Sequence, residues 1–327
     1  MAHNLTKEMK SIFKSLRPAS RSSTPEQLHR HDRTLHDAEI ADDSMAAPSP
    51  QSQSPTSPER PPVLIELFQS QGCNSCPPTN DNLISFIQTH QSSTSLSASS
   101  PPRFYANHSS SLNPTTSAST SPAVPGPEYL LLTYQVTYWD YLGWNDTFGL
   151  PVNDIRQREY VRHMGLRAAY TPMVVVNGRG VGVGNTKNDL EKIVREGEQV
   201  QARVRMEKVA TPSEVDDIQF EIDATSLAPS GTYSPHSSNS QFEIWEIAYT
   251  AMAQDVHISR GENAGRTLPH LNVVKDVKRI GYLARGGQGR FRVEGQGDGK
   301  RRSSQPEGRV VIVQNGKGGE VVGVLMI

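Results

Sequence analysis

An apolar run, Val63-Leu64-Ile65-Glu66-Leu67-Phe68, is followed closely by Cys73-Asn74-Ser75-Cys76 and then by a helix-forming stretch from Pro77 to His90. No other feature narrows the possible folds so sharply. These are the only two cysteines in 327 residues, and they stand three positions apart. A C-x-x-C set between a strand and a helix is the arrangement of a thioredoxin-like redox site. A helix beginning near Cys73 would aim its unpaired N–H groups and positive dipole end at that sulfur, favouring the thiolate. Cys76, one turn on, would donate its S–H to it. Pro77 and Pro78 suit a first helical turn, where no N–H is needed. By position, Cys73 is the exposed attacking sulfur and Cys76 the resolving one.

A second half of the site is expected at Tyr170-Thr171-Pro172, just before the apolar strand Met173-Val174-Val175-Val176. Thioredoxin-like folds place a cis-proline there, facing the cysteines, and the preceding residue's backbone pairs with an incoming substrate chain. An ordinary strand-initiating proline is the plainer reading of Pro172. Metal chemistry fits the cysteine pair less well. Zinc takes four ligands, no second cysteine pair exists, and His90, His108 and His163 lack supporting spacing. Cu(I) held by Cys73 and Cys76 alone is the metal alternative. A binding module with structural cysteines is the non-catalytic one.

The rest of the chain alternates folded-looking and low-complexity stretches. The hydrophobic fraction is 35%, while Pro and Gly number 23 and 25, as for a folded protein diluted by unstructured segments. Residues 1–61 are expected to be a disordered tail. Its first 24 residues carry Lys7, Lys10, Lys14, Arg17 and Arg21 against Glu8, with Leu5, Met9, Ile12, Phe13 and Leu16 at helical spacing. This suits a basic patch in a cytoplasmic protein or, alternatively, a mitochondrial presequence. Residues 91–128 form a Ser/Thr/Pro-rich insertion broken only by Arg103-Phe104-Tyr105-Ala106, a short strand remnant; 225–240 and 295–307 are further insertions. Tyr129 to Tyr138 reads as a buried strand. Asn153 to Leu166 reads as a helix with Ile155, Val161 and Met164 facing the core. Asn177-Gly178 signals a hairpin, and Thr186 to Asp189 a capping box opening another helix. From 203 onward, period-two runs such as Ile218–Ile222 and Phe242–Ile247 dominate, with Gly-rich turns and no helix. The expected architecture is an α/β thioredoxin-like domain, 62–202, followed by an all-β sandwich-like domain, 203–327.

Several longer motifs resemble one family. Glu66-Leu67-Phe68-Gln69-Ser70-Gln71-Gly72-Cys73-Asn74-Ser75-Cys76-Pro77-Pro78 is similar to the opening motif of the thioredoxin-like proteins catalogued as domain of unknown function 1223. Tyr138-Trp139-Asp140-Tyr141-Leu142-Gly143-Trp144, Arg156 to Tyr160, Tyr170 to Pro172 and Arg260 to Leu268 continue it in order. The resemblance implies a thioredoxin-like domain followed by a β-sandwich-like one, and leaves the reaction unassigned. At Gln135-Val136-Thr137 the family pattern reads His-Val-Asp, so a proton relay built on those two residues is missing here.

Trp139, Asp140 and Trp144 are candidates for a substrate-groove wall, Asp140 binding substrate or accepting a proton; a packed aromatic plug with Asp140 as a cap is the structural alternative. Arg156, Arg158, Arg162 and Arg167 suit a solvated helix face or an anionic ligand such as glutathione. The loop Gly261 to Arg266 is expected to pack over the cysteines with Arg266 facing the cleft between the domains, and Gln314 is a weaker candidate. The expected activity is thiol-disulfide oxidoreduction on a protein or small-molecule thiol or disulfide, with no cofactor. A net charge of −1 points to no nucleic-acid partner, and no apolar run is long enough for a membrane span.

Overall fold

The computed structural model describes residues 61–94, 128–199, 203–210, 217–228, 241–295 and 307–327. The tail 1–60, the strand remnant at 103–106 and most of each insertion lie outside the described residues. The first half runs β1 (Val63–Gln69), α1 (Cys76–Thr94), β2 (Tyr129–Gln135), α2 (Pro151–His163), β3 (Met173–Val176), β4 (Gly180–Gly182) and α3 (Lys187–Glu198). β1 pairs in parallel with β2 and antiparallel with β3, and β3 pairs antiparallel with β4. Alternate residues of β1 serve opposite faces, as strand geometry requires. Val63, Ile65 and Leu67 meet Leu83 and Ile87 of α1 and Leu190, Ile193 and Val194 of α3. Leu64 and Phe68 meet Tyr160 and Val161 of α2.

The helices differ instructively from expectation. α2 starts at Pro151, with proline in its first turn, two residues before the expected start. Ile155 is 54% exposed rather than core-facing, because Arg156 and Tyr160 occupy the inward stripe. α3 opens as read: the Thr186 hydroxyl accepts from the Asp189 N–H at 3.2 Å. Asn177 and Gly178 both adopt positive φ, 48° and 65°, as a tight hairpin demands.

The second half supplies β5 (Arg205–Val209), β6 (Ile218–Asp223), β7 (Gln241–Thr250), β8 (Gln254–His257), β9 (Thr267–His270), β10 (Val273–Ala284), β11 (Gln288–Val293), β12 (Glu307–Gln314) and β13 (Val321–Met326). The fold is mixed α/β around one large sheet of order β13-β12-β7-β10-β2-β1-β3-β4. This sheet crosses the expected boundary at residue 203. The join is narrow: Val273 of β10 pairs in parallel with Thr133 of β2, and the Thr133 hydroxyl donates to the Leu271 carbonyl at 2.6 Å. A three-stranded sheet, β11-β6-β5, shares an apolar cluster of Phe220, Ile222, Phe242, Ile244, Val311 and Val313 with the large one. No helix among the described residues is long and apolar enough to cross a membrane.

Candidate functional site

The cysteines occupy the loop from β1 into α1. α1 begins at Cys76 rather than near Cys73, so Cys73 sits one turn ahead of it, in turns closed by Cys73 N–H to Ser70 C=O at 3.1 Å and Cys76 N–H to Cys73 C=O at 3.3 Å. Both are free thiols, 4% and 2% exposed, so Cys73 is buried rather than the exposed sulfur its position predicts, because the loop of residues 261–266 packs onto its turn. Their protonation is set oppositely. Donation from the Cys76 S–H, with help from the Thr171 side chain and the Ser75 and Cys76 backbone, outweighs burial and lowers the Cys73 thiol to about 6. Burial, then the hydrogen bond and negative charge at Cys73, raise Cys76 well above the ordinary thiol value.

Thr171 and Pro172 come to the site across 98 positions of sequence: the Cys73 sulfur lies 3.7 Å from the Thr171 carbonyl oxygen, and the Thr171–Pro172 peptide is cis. The Trp139 indole donates to the Thr171 hydroxyl at 2.7 Å. An indole only donates, so this bond leaves the hydroxyl proton free for sulfur. Trp139 is thus part of the cysteine surroundings, one residue removed from the sulfur.

The loop between β8 and β9 packs onto the cysteine turn as expected. Asn263, fully buried, donates through Nδ2 to the carbonyls of Gln71 and Cys73, at 2.9 and 3.0 Å. Glu262 accepts from the Asn74 N–H at 3.3 Å. The Arg266 guanidinium donates to Asn263 Oδ1 at 2.9 Å, so it orients Asn263 and borders the cysteines without touching sulfur.

Gln71 links the remaining candidates. Its Oε1 accepts from the Trp144 indole at 2.9 Å, and its backbone N–H donates to Asp146 Oδ2 at 2.8 Å. Burial raises Asp146 to about 7 despite donation from the Gln71 and Phe148 N–H groups. Asp140 accepts from the Asp146 N–H at 3.1 Å and sits in a short 3-10 turn, so it caps this loop instead of facing the sulfurs. Trp144 likewise reaches Gln71, not sulfur.

The other candidates lie elsewhere. Arg156 is buried against Glu66 at 2.6 Å instead of solvated, and it donates to Gln314 Oε1 at 3.3 Å. That explains Gln314 as a packing partner. Arg158 stays on the surface near Asp154. At the departure from the family pattern, the Gln135 amide, oriented to satisfy its neighbours, donates to Asp146 Oδ2 at 2.9 Å, and Thr137 bonds Asp154 through its N–H and hydroxyl. His90 bonds Phe86 O at 2.7 Å within α1, and His108 lies outside the described residues. Among the described residues no group of three or more His, Cys, Asp or Glu side chains is placed to hold a metal ion. Sequence reasoning did not single out Gln71, Asp146, Asn263 or His270 as site residues, because the bonds that bring them to the cysteine turn come from distant elements.

A family profile described as "Protein of unknown function (DUF1223)" matches residues 64–314. Protein AGR_C_4864 from Agrobacterium tumefaciens, a solved crystal structure, is 21% identical with a TM-score of 0.50, over 81% of this chain and 93% of that one. At that identity the likeness is one of fold. HBP35 of Porphyromonas gingivalis is 10% identical with a TM-score of 0.47, over 83% of this chain and 76% of its own. No curated protein matches the chain.

Proposed function

The chain belongs to the DUF1223 family, and on the geometry around its two sulfurs we propose that it is a thiol-disulfide oxidoreductase. The observation that carries this reading is positional: both free thiols lie where β1 turns into α1, and the Cys73 sulfur stands 3.7 Å from the Thr171 carbonyl at the start of β3. The lowered Cys73 and raised Cys76 accord with it. A thiolate at Cys73 attacks one sulfur of a substrate disulfide and forms a mixed disulfide. Cys76 then attacks Cys73, releasing the second substrate thiol. Thr171 donates to the sulfur and its backbone flanks the incoming chain, while Trp139 fixes the Thr171 hydroxyl.

The element order β1-α1-β2-α2-β3-β4-α3 and the strand order β2-β1-β3-β4 support reading residues 62–202 as a thioredoxin-like unit. The two apolar-faced sheets of the second half support a sandwich-like reading of 203–327, fused to the first through β10. Substrates are thiols or disulfides of small molecules or proteins. The test is reduction of glutathione disulfide or insulin by the purified full chain. Turnover is expected to vanish in Cys73→Ser; unchanged turnover in that variant ends the proposal. Stoichiometric Cu(I) binding lost in Cys76→Ser, without reductase activity, would instead favour a metal carrier.

A further inference from the structure

One buried titratable side chain borders the site and has no part in the scheme above: His270, on β9, 2% exposed. It lines a cleft with Cys76, Ser70, Gln71, Asn80 and Arg266, between the start of α1 and β9. The cleft measures about 70 Å³, room for roughly two waters, which the polar groups of Ser70, Gln71 and Asn80 can hold beside apolar Pro77, Leu268 and Pro269. His270 Nδ1 lies 3.3 Å from the Gln254 carbonyl, which only accepts, so Nδ1 carries the proton. Nε2 is then the accepting nitrogen. The Gln71 amide has two N–H groups: one serves the Thr147 hydroxyl at 2.9 Å, and the other reaches Nε2 only at 3.4 Å, a long bond that a water in the cleft can replace. Burial lowers the imidazole pKa, so the ring is neutral at pH 7. The charged groups around it are Asp255 on β8, Arg266 before β9, Asp81 on α1 and Lys275 on β10; Lys275 covers the Phe148 ring that packs against His270. Among the described residues His270 hydrogen-bonds to none of these.

The resolving step needs such a group. When Cys73 is tied up in a mixed disulfide, its negative charge no longer holds the Cys76 proton, but burial still does. Only the thiolate of Cys76 can attack. We propose that His270 accepts the Cys76 proton, through water in this cleft, as the mixed disulfide is resolved. The proton passes from Cys76 Sγ to His270 Nε2. The freed sulfur pair forms the Cys73–Cys76 bond, and the bond from Cys73 to the substrate sulfur breaks. That sulfur leaves with the electron pair as a thiolate, which takes its proton from the imidazolium or from solvent. Two cysteine thiols are oxidised and one substrate disulfide is reduced.

This inference rests on the oxidoreductase reading, and one experiment separates their failures. The aromatic disulfide DTNB releases one coloured thiol when Cys73 attacks and a second when Cys76 resolves, so stopped-flow absorbance records the two steps in order. In His270→Asn the first release is expected to be unchanged. The second should slow at least about tenfold at pH 7, with partial rescue by added imidazole. In the wild type, the second release should gain rate as pH rises through an inflection below about 6.5, the ordinary imidazole value. Equal second-release rates in variant and wild type overturn the inference. Should His270→Asn fail to fold, a wild-type profile without that inflection overturns it equally. A first release that survives in Cys73→Ser would instead overturn the oxidoreductase reading beneath it.

Discussion

Two buried polar clusters flank β1, and they are built to opposite ends. Around Glu66, the charges are paired. Arg156 donates to the carboxylate from Nε at 2.6 Å and to the Tyr160 hydroxyl from another nitrogen at 3.0 Å, and Tyr160 itself donates to Glu66. Burial alone would lower Arg156, but Glu66 and the neighbouring phenols outweigh it and raise it further. Tyr160 is also pushed well up, chiefly by burial. Neither the Arg156 nor the Tyr160 proton moves in the physiological range. Around Cys73, shallower burial leaves Cys73 near 6 and Asp146 near 7, values from which protons come and go. The difference lies in the partners: a fixed cation locks one cluster, whereas neutral donors balance the other against desolvation. Burial of charge marks a reactive site only where no permanent counter-ion saturates it.

The sharpest way to break this contrast is to remove the counter-ion. Arg156→Ala leaves Glu66 buried and unpaired, and urea unfolding should record a loss of about 3–5 kcal/mol. Glu66→Leu with Arg156→Met should restore much of that, because neither charge then needs a partner. Both variants that fold should keep the wild-type alkylation profile at Cys73. A shifted profile would mean the clusters are coupled.

Next in size is Asn263→Ala. It strips the donor from the Gln71 and Cys73 carbonyls and should cost roughly 1–3 kcal/mol. Unlike the Arg156 variant, it should speed alkylation of Cys73, since the turn loses its cover. An unchanged alkylation rate would show that the β8–β9 loop does not guard the sulfur.

A third probe is pH. The folded pKa of Asp146 is raised from 3.8 to about 7. Its contribution to stability is therefore full below the unfolded value and lost as pH rises through about 7. Between about pH 4 and 7 that loss has a slope of at most about 1.4 kcal/mol per pH unit. Asp146→Asn should remove this component from the pH dependence of unfolding, whatever it does to the overall level. Identical slopes would mean the carboxyl is not protonated in the fold. The smallest effect is expected of Thr171→Val. It deletes one donor to the thiolate, and the pH midpoint of Cys73 alkylation should rise from about 6 by roughly one unit, with little change in stability.

Much of this arrangement is legible in the chain, for reasons that can be stated residue by residue. Cys73, Cys76 and the Thr171-Pro172 pair each stand beside an apolar strand that announces itself by composition, so local pattern places them. Thr186 and Asn177-Gly178 declare their cap and turn through chemistry within four residues. Ile155 and Arg156 take the opposite faces from those their residue types predict: the apolar side chain is exposed and the charged one buried. The carboxylate of Glu66, 90 positions away, decides otherwise. The boundary at 203 fails as a division of the sheet for a similar reason. Within the sheet the junction is one register pair with the loop bonds of Thr133, Leu271 and Asn272, and beneath it Phe68, Tyr134, Ile247 and Val310 share one apolar cluster; no periodicity encodes either. Gln71, Asn263 and His270 are ordinary loop and strand residues until the second half brings them together.

The Asn263 hydrogen bond to the Cys73 carbonyl spans 190 positions. During synthesis the two sulfurs leave the ribosome long before the residue that closes over them. A nascent chain ending at residue 202 carries both thiols but not their cover, and exposes them to whatever oxidant it meets. Protection of the two thiols therefore waits on a long-range contact that only the second half of the chain supplies.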